Sequence, residues 1–157
     1  AMAVGILLAF FRFVLEISRI YKSQLTYLED DAIQDLLDDE MKNKVKILRP
    51  RGPMFFGAVK QLEDVYANAE PHETLIIKLK DVSMVDLSGA YALEDLVDKA
   101  KKDGKNVLIC SAPPHVMKVL NSVKALDRLE QRNYFEVIND AVSMAKELSV
   151  EKKVCLR

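Results

Sequence analysis

Cysteine and histidine are scarce in this chain of 157 residues, two of each, and neither sign of charge prevails. Cys110 lies in an apolar run and Cys155 near the carboxyl end; they make no CxxC pair and no disulfide framework, which points to a reducing compartment. His72 and His115 have no metal-ligand spacing with each other or with the cysteines, so neither a metal site nor a cofactor is expected. With 23 basic against 24 acidic residues, the net charge of -1 gives no global attraction to nucleic acid or to an anionic membrane. No nucleic-acid partner is expected, and a charged partner has to be recognised locally. Internal repeats and low-complexity tracts are also missing. Half of the residues are hydrophobic, enough to bury the core of one domain.

The longest apolar run is "AMAVGILLAFF", from Ala1 to Phe11, which Arg12 interrupts. As a helix it rises about 16 Å, roughly half of a ~30 Å bilayer core, so it is too short to span alone. It lacks the basic start and small-residue cleavage site of a secretory signal. Two readings remain, the end of a longer transmembrane helix and a buried core helix. Arg12, Arg19 and Lys22 follow the run, as where a helix leaves a membrane on its cytoplasmic side, and favour the first. Residues 1–22 are therefore read as a membrane-helix end or a membrane-proximal helix. Left uncovered, such a helix is also a candidate homodimer contact.

Residues 23–43 change character. Acids cluster from Glu29 to Glu40 while Leu25, Leu28, Ile33, Leu36, Leu37 and Met41 recur at helical spacing, an acidic amphipathic linker helix. An alternating α/β pattern follows over residues 44–150, with 151–157 a tail. "KVKILR" reads as a strand, "PRGP" as a turn, and "MFF" (Met54–Phe56) as a short second strand pairing back antiparallel, with Phe55 and Phe56 packed in core and edge. A helix carries Val59, Leu62 and Tyr66; "TLIIKL" is a buried strand; a second helix carries Leu93, Leu96 and Val97 and ends at a left-handed Gly104. "NVLIC" is a buried strand, Pro113-Pro114 opens a helix, "YFEVI" is the last strand, and Asn139 or Asp140 caps the last helix, which runs through Leu148. One-helix crossovers between strands force parallel neighbours. The expected fold is α/β: a small mixed, mostly parallel sheet of four to five strands with about four helices, behind an apolar helix and a linker helix.

At the centre stands Asp86-Leu87-Ser88-Gly89, an acid, a hydroxyl and a glycine where a strand gives way to a helix. A nucleophile elbow needs G-x-S-x-G, but Asp86 occupies the first glycine position. A phosphate-cradling loop needs several glycines and usually a lysine, and here there is one glycine and no lysine before Lys99. No catalytic residue is assigned. The plain reading is that Ser88 or Asp86 caps the helix and Gly89 lets backbone come close. The turn nonetheless follows the carboxyl end of a strand, where open α/β sheets bind ligands, so it is a candidate regulatory or docking turn. A second turn expected on the same edge contributes Ser111, Pro113 and Pro114.

Three stretches carry a family resemblance: "VSMVDLSGAYALEDLVDKAKKDGKNVLICSAPPHVMKVLNSV", "ILRPRGPMFFGAV" and "RLEQRNYFEVINDAVSMA". Together they resemble a STAS domain (sulphate transporter and anti-sigma-factor antagonist), and the Gly-Pro-x-Phe-Phe stretch is similar to the sulphate-permease branch. The resemblance covers roughly Lys44 to Leu148. It implies a non-enzymatic regulatory and interaction module at the cytoplasmic face of the inner membrane, following the last membrane helix of a bacterial inorganic-anion transporter. Its implied partners are that transporter's own transmembrane domain and a cytoplasmic regulatory protein, and the resemblance also allows a nucleotide or anion at the Asp86–Gly89 turn. In the antagonists of this family the phosphoacceptor serine directly follows the aspartate; here that position is Leu87, which has no hydroxyl. A free-standing anti-sigma-factor antagonist is the alternative reading, and a small α/β hydrolase using Ser88 a third.

Overall fold

The computed structural model describes residues 2–24, 37–124 and 133–155. Its elements run α1 (Met2–Gln24), α2 (Asp39–Lys42), β1 (Val45–Leu48), β2 (Gly52–Met54), α3 (Phe56–Ala67), β3 (Thr74–Lys78), β4 (Val82–Val85), α4 (Leu87–Lys102), β5 (Asn106–Cys110), α5 (Pro114–Ser122), β6 (Tyr134–Phe135) and α6 (Ile138–Cys155). The main sheet has the order β1-β3-β5-β6, and every pairing in it is parallel. The expected α/β class with helical crossovers is what forms.

Side-chain alternation explains the layers. Leu75 and Ile77 of β3, with Val107 and Ile109 of β5, enter the core shared with α3, α4 and α5. Their neighbours Ile76, Leu108 and Cys110 face the opposite core, shared with α2 and with Ala141, Val142 and Ala145 of α6. Both faces of the sheet are therefore covered, which is why "TLIIK" and "NVLIC" read as unbroken apolar runs. Helix α4 forms because Ala90, Leu93, Leu96, Val97 and Ala100 recur on one face, all buried. Lys99, Lys101 and Lys102 fill its last turn, where cations suit the helix dipole, and Gly104 follows at φ +72°.

Four expectations are corrected. Residues 54–56 do not pair back on β1: Gly52–Met54 runs parallel to β4 in a separate two-stranded ribbon. β1 and β3 lie in register from Val45↔Thr74 to Leu48↔Ile77, and both chains bend and continue, so their extensions remain side by side and co-directional. The two bends are stapled together. Arg49 pairs with the Asp81 carboxylate, and the Gly52 N–H donates to the Asp81 carbonyl at 2.8 Å. Second, Phe56 does not pack in core or sheet edge but is 61% exposed, because it opens α3 instead of ending a strand. Third, β6 stops at Phe135, where its ladder with Ile109 and Cys110 ends. Fourth, Asn139 and Asp140 lie inside the first turn of α6, which starts at Ile138 and continues to Cys155, past the expected end at Leu148. Most of the expected linker helix lies outside the described residues; Asp39–Lys42 is its described helical part.

Candidate functional site

The Asp86–Gly89 turn is assembled by the ribbon. β4 delivers Asp86 in extended geometry (φ -95°, ψ 174°) as the N-cap of α4. Its Oδ1 accepts from the Gly89 N–H at 2.6 Å and from the Ser88 hydroxyl at 2.8 Å. Of the two expected caps, Asp86 is the one that bonds the helix, satisfying an otherwise orphaned donor. Gly89 has a steric reason. A Cβ there would stand 2.2 Å from the Met54 carbonyl oxygen, and that atom is backbone and cannot step aside. The Asp86 N–H reaches the same oxygen at 3.4 Å, so β2 and the head of α4 touch through backbone.

Leu87 points outward, 59% exposed. Three other large apolar side chains near the turn are also exposed: Phe56 at the head of α3, Met84 on β4 and Tyr91 one helical turn beyond Leu87. Sequence reading passes over Phe56, Met84 and Tyr91, because each belongs to an apolar pattern whose other members are buried. The Ser88 hydroxyl proton is given to Asp86, while His72 hangs on the Glu70 carbonyl and His115 on the Ser83 carbonyl.

The second group lies at the end of β5. Ser111 adopts φ +56°, unusual for a residue other than glycine, and its N–H donates to the Phe135 carbonyl at 2.9 Å. Pro113 is the N-cap of α5 and Pro114 its first residue. Because Lys78 pairs with Cys110, this turn stands level with the bend after β3, whereas Asp86 lies beyond the four residues of β4. The ring of His115, from α5, on the Ser83 carbonyl of β4 links the two regions at 2.9 Å. Cys110 between them is fully buried, and burial pushes its thiol up to about 11, far from a reactive thiolate.

A parallel sheet covered on both faces, with an Asp-capped strand-to-helix turn closed by a glycine against backbone, defines the class. Residues 37–141 match the STAS domain family, and the chain belongs to it. Among relatives, the bicarbonate transporter BicA of Synechocystis is 24% identical over 66% of this chain, and the putative sulfate transporter YvdB of Bacillus subtilis is 22% identical over 85%. The chain spans only 19% and 25% of those two proteins. The SulP transporter STAS domain from Vibrio cholerae superposes with a TM-score of 0.60 at 27% identity, covering 69% of this chain and 86% of that one. A putative anti-sigma-factor antagonist from Thermotoga maritima reaches 0.57 at 16% identity, covering 80% of this chain and 97% of its own, a likeness of fold alone.

Proposed function

We propose that this chain is the cytoplasmic STAS domain of a bacterial SulP-type inorganic-anion transporter, a non-enzymatic module that works by contact with the transporter's membrane domain and with cytoplasmic regulatory partners. Transporter relatives support the branch, and helix α1 carries the proposal. Nine large apolar residues between Val4 and Leu15 are between 45% and 71% exposed. Ile6, Leu7 and Leu8 are consecutive, so they lie on different sides of the helix, and no single face could hide them all. A helix apolar all round is covered by a protein core or by lipid. Here that cover comes from outside the domain, from lipid, from neighbouring membrane helices or from a second copy. Among the described residues no helix is long and apolar enough to cross a membrane; in this reading α1 is the end of the last transmembrane helix or a membrane-proximal helix.

The free-standing antagonist is the weaker reading. Leu87 offers no phosphoacceptor, and the neighbouring Ser88 hydroxyl is engaged with Asp86. The docking surface of the proposed module is the Asp86–Gly89 turn with the exposed side chains of Phe56, Leu87 and Tyr91 around it. An antibody against residues 44–148 tests the assignment on fractions of the native organism. A membrane band far above 17.8 kDa is expected. A soluble band near that mass would overturn the assignment in favour of a free-standing protein.

A further inference from the structure

A cleft of about 560 Å³ opens where the carboxyl ends of β3, β5 and β6 meet, with Ser111 and Pro114 of the second turn in its wall. Parallel α/β sheets bind ligands on that edge, because the strand ends and the following helix starts leave a crevice there. The wall is two-sided in character. Lys78, only 8% exposed, and Lys80 bring two cations against the single acid Glu136. Met117, Val137 and Ile138 supply an apolar side, and Val137 stands 50% exposed beside it. Lys78 is within Coulombic reach of Asp81 and of the Cys110 thiol, so its charge sits at the base of the strands and not out in solvent.

Size decides the class of ligand. Clefts of roughly 300–1,000 Å³ suit organic molecules of metabolite or drug size, and a bare inorganic ion would fill a small part of this one and leave the apolar wall wet. Ammonium groups at the strand ends give an anionic head charge-assisted hydrogen bonds, which are stronger than neutral ones. We propose that this cleft binds an organic anion, its carboxylate or phosphate head on Lys78 and Lys80 and its apolar body against Met117, Val137 and Ile138. The site is distinct from the Asp86–Gly89 turn, whose Gly89 N–H and Ser88 hydroxyl are bonded inward to Asp86. A ligand here would touch both β5–α5 and β6–α6, so its occupancy is read by two helices at once.

The test is an amide NMR titration of the full chain with 1-naphthyl phosphate, and in parallel with inorganic phosphate. Saturable shifts are expected at Ser111, Ala112, Glu136 and Val137, with inorganic phosphate at least tenfold weaker. Lys80→Gln should weaken binding about tenfold, the loss of one charge-assisted contact. Lys78→Met should weaken it further. Because that buried position could compromise folding, Val137→Glu provides a second disruption: it puts a second acid into the cleft at a half-exposed position and should abolish binding in a folded protein. Shifts confined to α1, equal affinity for inorganic phosphate, or shifts untouched by Lys80→Gln and Val137→Glu would each overturn the proposal.

Discussion

Helices α1 and α4 are both rich in apolar residues, yet they meet opposite fates. In α4, Ala90, Leu93, Leu96, Val97 and Ala100 share one face and are buried by the sheet and α3, while Asp95, Lys99 and Lys102 face solvent. In α1 the apolar residues run round the helix and stay exposed. The difference lies in composition: the first ten residues of α1, Met2 to Phe11, carry no charge, whereas six of the sixteen residues of α4 are charged. A helix with a polar back buries its apolar face within its own domain, whereas one that is apolar on every side needs a second body. In the proposed reading this separates the part of the chain that folds for itself from the part that addresses a membrane or another subunit.

The sharpest way to break the self-sufficient half is to hollow out its stripe. Leu96→Ala removes a fully buried side chain and should cost about 2–5 kcal/mol in chemical denaturation. Gly89→Ala attacks the seat of the same helix from its other end. Its Cβ would meet the Met54 carbonyl at 2.2 Å, so β2 and α4 must part, at a cost of about 2–3 kcal/mol. Removing only the cap by Asp86→Ala should cost about 1 kcal/mol, since one backbone donor loses its acceptor while the packing persists. A substitution in α1 such as Leu8→Ser should change the domain's unfolding free energy by no more than about 0.5 kcal/mol, because that side chain is 63% exposed. A large loss there would erase the contrast between the two helices.

Acid should expose a further difference between covered and uncovered groups. His72 is buried, with its Nδ1 near the Glu70 carbonyl at 2.8 Å and no partner for Nε2. Burial holds its imidazole below the ordinary value of 6.5. The unfolded chain therefore takes up this proton at higher pH than the folded one. Stability should be level above about pH 6.5 and fall as pH drops beneath it. Denaturation midpoints at pH 7 and pH 5 should differ more in the wild type than in His72→Gln. Asp81 works at lower pH. Arg49 holds its carboxyl below the usual range, so that increment is present above the unfolded value of 3.8 and is lost as pH falls through the folded one.

Local rules carry much of this fold. Unbroken burial in β3 and β5, the Asp86 cap, the proline start of α5 and the left-handed Gly104 each follow from a few adjacent residues, and each forms as its local sequence requires. What escapes the sequence is set by partners distant along the chain. The parallel run of β2 beside β4 depends on two bends held by Arg49 and Asp81, 32 residues apart, and "PRGP" looks like a hairpin turn until that staple is seen. Phe56 reads as a strand residue because the three residues "MFF" cannot say where a strand yields to a helix. Of the candidate turn, the capping acid and the close-approach glycine are legible. The exposed ring of Phe56, Met84 and Tyr91 is not, because exposure depends on what the rest of the chain fails to cover. The cleft at Lys78 is invisible in sequence for the same reason: its wall comes from three separate segments.

Liposome flotation of the full chain beside a variant lacking residues 1–16 tests the central claim most directly. The full chain should float with neutral liposomes; the shortened one should stay in the aqueous layer and melt at the same temperature. A full chain that stays behind as a monomer, or a shortened chain that melts markedly lower, would show that the domain itself covers α1 and would contradict the outward-facing role assigned to it.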